Sequence, residues 1–260
     1  MLFRSLLCMD MKISGYKNYI FDFYGTLCNI WTNEKKRYLW ENLSEVFRSQ
    51  KADYHAGQLQ KKYLSLCRQE TERMQDEKQY DLIEIDLLKV FESLYLEKGI
   101  TVSEETLKET MVIFRLLSLE YMNVFKGVRE LLTQLRNDGC RVYLLSNAQS
   151  VFTEYEMERM SLKQYFDGIC YSSDAGYRKP SERFFDRLFE QYGLNKDESI
   201  MIGNDLYSDI KAAHKYGLAS VYIKTIQSSK GNAVLPDDAL RVRDIEELLE
   251  LYLKDKEKGA

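Results

Sequence analysis

Proline and histidine are scarce in this chain: each occurs twice in 260 residues. With so few breakers, long amphipathic stretches are free to run as helix. His55 and His214 are too few and too far apart for a histidine metal cluster. Cysteine is also little used. Cys8, Cys28, Cys67, Cys140 and Cys170 make an odd count of five, and no two form a Cys-x-x-Cys pair. That argues against a disulfide framework or a cysteine zinc site and fits a reducing cytoplasm. No large excess of one charge exists. The formal net charge of −4 gives no general affinity for nucleic acid. Long hydrophobic runs are missing too. The mostly apolar segment Met1 to Met9 is too short to span a membrane and makes a poor secretory signal, and Met9 or Met11 could be the true start.

What is present suits an ordinary soluble globular protein, with 45% apolar and 30% charged residues. The length allows a core domain with a smaller inserted one. Tyr19-Ile20-Phe21-Asp22-Phe23, followed by the turn Gly25-Thr26, reads as a buried strand. From Trp31 to Tyr121 apolar residues recur at helical spacing among many charges. About four helices and no convincing strand are expected there. Strand and helix then alternate: strands at Arg141 to Ser146, Gly168 to Ser172, Ser199 to Gly203, Ala219 to Lys224 and Leu240 to Val242, with helices between and after them. Such alternation predicts right-handed crossovers and a parallel sheet covered on both faces. Ser228 to Asp238 reads as a surface loop.

Four polar clusters fall at or just beyond the carboxyl ends of predicted strands, the edge where open parallel sheets bind ligands. Asp22 could attack an electrophilic centre, and Gly25 permits a sharp turn. Ser146-Asn147 offers a hydroxyl and amides ahead of a helix, or merely caps it. In Arg178-Lys179-Pro180, Lys179 could neutralise charge on a nucleophile and a transferred group; the plain alternative is a solvated basic turn. In Gly203-Asn204-Asp205-Leu206-Tyr207-Ser208-Asp209 two carboxylates suit a hard cation, or an Asx turn and a helix start.

In order and in kind, these clusters resemble the motifs of the haloacid dehalogenase-like hydrolase superfamily. Asp22 to Leu27 resembles the first motif, Ser146-Asn147 the second, Lys179-Pro180 the third and Gly203-Asn204-Asp205 with Asp209 the fourth. The resemblance implies an α/β fold: a Rossmann-like parallel-sheet core, residues 1–30 and 122–260, with an all-helical cap inserted at 31–121. It implies that Asp22 is the nucleophile, that Ser146 and Lys179 hold the transferred group, and that Mg²⁺ is bound by Asp22, the Tyr24 carbonyl and an acid of the fourth motif. Asn204 stands where the first such acid is usual, so Asp205, supported by Asp209, is favoured. Thr26, Asn147 and Arg68 are expected to contact the substrate; for Arg68 a solvated helix face is the competing reading.

Two departures qualify the resemblance. Phosphatases of the superfamily carry a second aspartate two residues after the nucleophile, as general acid and base, whereas this chain has Tyr24. Loss of such a group costs roughly 10²–10⁴-fold. Tyrosine there is a feature of the metal-free haloacid dehalogenases, as is Asn204, but Phe185 stands where those enzymes are expected to carry tyrosine. The expected function is a cytoplasmic Mg²⁺-dependent phosphatase of a small metabolite, with no nucleic-acid or membrane partner. The alternatives are a metal-free dehalogenase and a weakly catalytic binding or regulatory protein.

Overall fold

The computed structural model describes residues 11–80, 82–228 and 234–259. Cys8, the Met1 to Met9 segment and residues 229–233 of the expected loop lie outside the described residues. Six strands form one parallel sheet: β1 Asn18–Phe21, β4 Arg141–Ser146, β5 Gly168–Tyr171, β6 Ser199–Gly203, β7 Ala219–Ile223 and β8 Ala239–Val242. Their spatial order is β5-β4-β1-β6-β7-β8. β1 lies between β4 and β6, with Phe21 level with Leu144 and Ile202. The expected Rossmann-like α/β core is therefore present.

Side chains alternate across these strands, so each strand feeds two cores. Tyr19, Phe21, Val142, Leu144, Ile200 and Ile202 pack on one face, against helices α5 Val128–Asn137 and α10 Ile245–Gly259. Ile20, Tyr143, Leu145 and Met201 pack on the other, against α8 Glu182–Tyr192 and α9 Ala212–Tyr216. Full burial of each such large apolar side chain is worth about 1.5–3 kcal/mol. Phe185 belongs to this second core, stacked on Tyr216 with ring centroids 5.0 Å apart. Pro180 directly precedes Ser181, the N-cap of α8.

Between β1 and α5 the chain makes a long excursion. It leaves by β2 Cys28–Thr32 and returns by β3 Leu119–Val124, which pair antiparallel as a two-stranded ribbon. Four helices lie between them: α1 Arg37–Ser49, α2 Ala56–Lys78, α3 Leu87–Leu96 and α4 Glu104–Ser118. The region read as wholly helical thus begins and ends in strand. Both strands are short and carry exposed positions, among them Trp31 and Tyr121, so no clean apolar alternation marks them. The helices share a core of their own, built on Trp40, Phe47, Tyr63, Phe91 and Phe114, which also takes in Phe152 from α6 Ser150–Arg159. A second contact is made by backbone: Glu84 N–H donates to the Gly176 carbonyl and Arg178 N–H to the Leu82 carbonyl. No helix among the described residues is long and apolar enough to cross a membrane.

Candidate active site

The strand ends bring three of the four clusters together, and a loop brings the fourth. Asp22 follows β1 directly, its N–H bonded to the Ile202 carbonyl of β6 at 3.0 Å. Gly25 then turns the chain at φ +85°, and a Cβ there would lie 2.5 Å from the Asn204 amide nitrogen. Only glycine meets both demands. Gly25→Ala is therefore expected to cost about 1–3 kcal/mol of stability, read as a lower urea midpoint; an unchanged midpoint would show the turn to be relaxed.

Lys179 is the centre of the site. Its side chain is 1% exposed, and Nζ lies 2.8 Å from Asp22 Oδ1 and 2.7 Å from Asp209 Oδ1. The loop carrying it is clamped by Asn147, whose Oδ1 accepts from Lys179 N–H at 2.8 Å and whose Nδ2 donates to the Lys179 carbonyl at 3.0 Å. Burial alone would lower the Lys179 pKa, but Asp209 and Asp22 outweigh it and the ammonium is held charged. Burial pushes the Asp209 carboxyl up to about 6; Asp22 adds to this and Lys179 opposes it. Two buried carboxylates sharing one ammonium leave the cluster net negative, a setting that favours a further cation.

The fourth cluster is arranged around two oxygens. Asp205 Oδ1 accepts from Tyr207 N–H, Ser208 N–H and Ser208 Oγ at 2.9, 2.7 and 2.9 Å. Its Oδ2 takes part in none of these bonds. Asp209 Oδ2 accepts from Asp205 N–H at 2.9 Å, and its side chain fills the space that a Cβ on Gly203 would need, at 2.4 Å. Asp205 makes the expected Asx turn, opening the π-helical segment Leu206–Lys211, and Asp209 lies in the first turn of that segment, buried inside the site.

A cavity of about 250 Å³ opens on this edge, lined by Asp22, Tyr24, Asn147, Lys179, Asn204, Asp205, Ser208, Asp209 and Gln227. The fit to Mg²⁺ can be judged from its donors. No group of three or more His, Cys, Asp or Glu able to hold a metal is found among the described residues. Mg²⁺ needs only one or two carboxylates and keeps several waters. Asp22, Tyr24, Asn204 and Asp205 all line this one cavity, and oxygen donors of their kind suit that ion.

The remaining candidates fall out differently. Ser146 Oγ lies 3.4 Å from Asp22 Oδ1 and is buried. Thr26 Oγ1 lies 3.1 Å from both Asp22 Oδ2 and Asn204 Oδ1, and its single hydrogen serves one at a time. Fully buried, Thr26 steadies the loop that carries Asp22 instead of facing the cavity, a correction to its expected substrate contact. Asn147 does border the cavity, yet both ends of its amide are used on the Lys179 backbone. Arg68 is exposed and lines no cavity at this edge. On α2 it stands next to Cys67, which does face the insert–core space together with Tyr63; the helical turn carries Arg68 away from that face.

Tyr24 holds the least expected arrangement. Its hydroxyl donates to Glu156 Oε2 and lies 2.9 Å from Thr153 Oγ1, both on α6. Glu156 Oε1 accepts from Arg115 Nε of α4 at 2.6 Å, and the Arg115 guanidinium lies 5.3 Å from the Tyr24 ring centroid. Burial, and then Glu156, hold the phenol well above its ordinary pKa. It stays neutral and is committed to α6. Sequence reasoning missed Arg115 and Glu156. The one available signal was an arginine set in the otherwise apolar run Phe114-Arg115-Leu116-Leu117.

A second cavity, of about 430 Å³, lies between the inserted helices and the core and shares Tyr24 and Asn147 with the first. The carboxyl edge of the Rossmann-like sheet thus holds an aspartate, a buried lysine and a second acidic loop. The profile described as haloacid dehalogenase-like hydrolase matches residues 19–223, and the chain belongs to that family.

Among relatives, it is 27% identical over 104 residues to a glyceraldehyde 3-phosphate phosphatase of Pyrococcus abyssi, covering 40% of this chain and 44% of that one. It is 29% identical over 130 residues to a pyrimidine 5′-nucleotidase of Escherichia coli, covering 49% and 56%. The chain thus spans about half the length of the curated relatives it matches. A 2-haloacid dehalogenase structure from Pseudomonas syringae superposes with a TM-score of 0.60 at 16% identity, over 92% of this chain and 99% of that one. At that identity the likeness shows the fold alone.

Proposed function

We propose that the protein is a Mg²⁺-dependent phosphatase of a small phosphorylated metabolite that works through an aspartyl-phosphate. The observation that carries the reading is the Asp22–Lys179–Asp209 bridge, buried at the edge of the first cavity. Asp22 attacks phosphorus, the P–O bond to the alcohol breaks, and water then hydrolyses the acyl phosphate and regenerates the carboxylate. Lys179 pairs with Asp22 and meets the charge of the phosphoryl oxygens, and Ser146 adds a donor beside the nucleophile. Mg²⁺, held by Asp22, the Tyr24 carbonyl and Asp205 with Asn204, would neutralise and orient the phosphoryl group. The insert at 31–121 acts as a cap, with the second cavity as the place of the alcohol part. Four described cysteines, Cys28, Cys67, Cys140 and Cys170, are free, which supports a reducing cytoplasm.

Tyr24 and Asn204 favour the metal-free dehalogenase as the second reading. One experiment separates the two: turnover of a panel of phosphate monoesters and 2-haloacids, with Mg²⁺ and with excess chelator. Phosphate release is expected with Mg²⁺ and is expected to fall to background with chelator. With no acid at position 24, activated esters should be turned over faster than unactivated ones. Halide release that persists in chelator would overturn the phosphatase reading.

A further inference from the structure

The second cavity has a charge pattern of its own. Arg115 borders it but is already matched by the buried Glu156. Two other carboxylates line the space, Glu34 just after β2 and Glu84 ahead of α3. Glu84 accepts long hydrogen bonds, from Ser172 Oγ at 3.2 Å and Gln149 Nε2 at 3.3 Å. Neither Glu34 nor Glu84 forms a salt bridge among the described residues; the cations nearest in effect are Arg115 for Glu34 and Arg178 for Glu84. Tyr63 and Cys67 add polar atoms to the wall, and Phe152 adds an apolar face. With Arg115 cancelled by Glu156, the lining carries an excess of acceptors and of negative charge. An incoming group with hydroxyl or ammonium donors is stabilised there, and a second anion is repelled.

We propose that this cavity selects a phosphate monoester whose alcohol part is rich in hydrogen-bond donors and bears no second anionic group, a polyol or amino-alcohol phosphate, with Glu34 and Glu84 as the specificity-determining acceptors. The proposal rests on the phosphatase reading and narrows its substrate class. A charge-assisted hydrogen bond contributes enough for about a tenfold preference.

The test uses the full-length Asp22→Asn protein, which alters neither carboxylate of the second cavity, in the presence of Mg²⁺. Binding of glycerol 3-phosphate, phosphoethanolamine and 3-phosphoglycerate is compared by calorimetry. The first two are expected to bind at least about tenfold more tightly than the acid-bearing ester. Adding Glu34→Gln and Glu84→Gln should narrow that ratio; Glu34→Gln, at an exposed position, gives the same reading if the pair of changes harms folding. Equal or tighter binding of 3-phosphoglycerate, no binding of any of the three, or a ratio unmoved by the glutamine changes would overturn the proposal. Turnover of p-nitrophenyl phosphate by the unaltered protein is measured in parallel. Its absence alongside the expected binding order would sink the phosphatase mechanism and leave the selectivity standing. Normal turnover with the order reversed would do the opposite.

Discussion

Asp22→Asn is expected to lower phosphatase turnover by about 10⁴-fold or more, the scale of losing a covalent nucleophile, and to leave the fold intact. The amide has nearly the shape of the carboxylate but does not attack phosphorus. Its oxygen can still accept from Lys179 Nζ, 2.8 Å from Asp22 Oδ1, while its NH2 donates to Thr26 Oγ1, 3.1 Å from Asp22 Oδ2. Lys179 retains Asp209 at 2.7 Å, so no buried charge is left alone. The measurement is kcat on an activated ester, with thermal unfolding of both proteins as the control. A variant that keeps more than a few per cent of the activity would assign the nucleophile elsewhere.

Lys179→Met is expected to be worse for the molecule. It leaves Asp22 and Asp209 as neighbouring carboxylates, both buried, without their shared cation. Removing one partner of a buried charge cluster costs about 3–5 kcal/mol, and turnover should vanish with it. The pH dependence follows from the sign of the shifts. Asp209 already has its carboxyl raised to about 6 by burial, against the opposing Lys179. Without that lysine the Asp209 carboxyl rises further above its unfolded value. A raised folded pKa gives stability that is present below the unfolded pKa and lost as pH climbs through the folded one. The difference from the unaltered protein should therefore be smallest near pH 4 and largest above pH 7. Urea unfolding at the two pH values checks this; an equal loss at both would mean that Lys179 contributes packing rather than charge.

The core and the gathering of the polar clusters at one sheet edge were legible because short continuous apolar runs ended, one after another, in polar residues. Asp22 and Asn204 follow, and Ser146 ends, strands whose register aligns those ends. Lys179 was harder, since a basic residue in a turn reads as solvated; only the three-dimensional structure shows it buried between two acids. Tyr24 illustrates the limit. Sequence marks it as a missing acid, but where the phenol goes depends on Glu156, 132 residues away. Arg68 fails for a related reason, because helical periodicity locates a face without saying which partner lies on it. The ribbon escaped notice because its strands are half exposed and show no alternation strong enough to compete with the helices between them.

That ribbon bears on how the chain assembles. β1 cannot pair with β4 until the whole insert has been spanned, and closure entropy grows with the length of open chain between partners. Pairing of Cys28 with Val124 and Trp31 with Tyr121 draws the two ends of the insert together. Once it forms, the open segment left to close is the short stretch from β3 through α5 to β4. The antiparallel pair is thus a shortcut that makes the long-range parallel contact almost local. Its formation ahead of β1–β4 docking would move the cost of closing the insert onto the ribbon and leave the Asp22 strand only a short open segment to close.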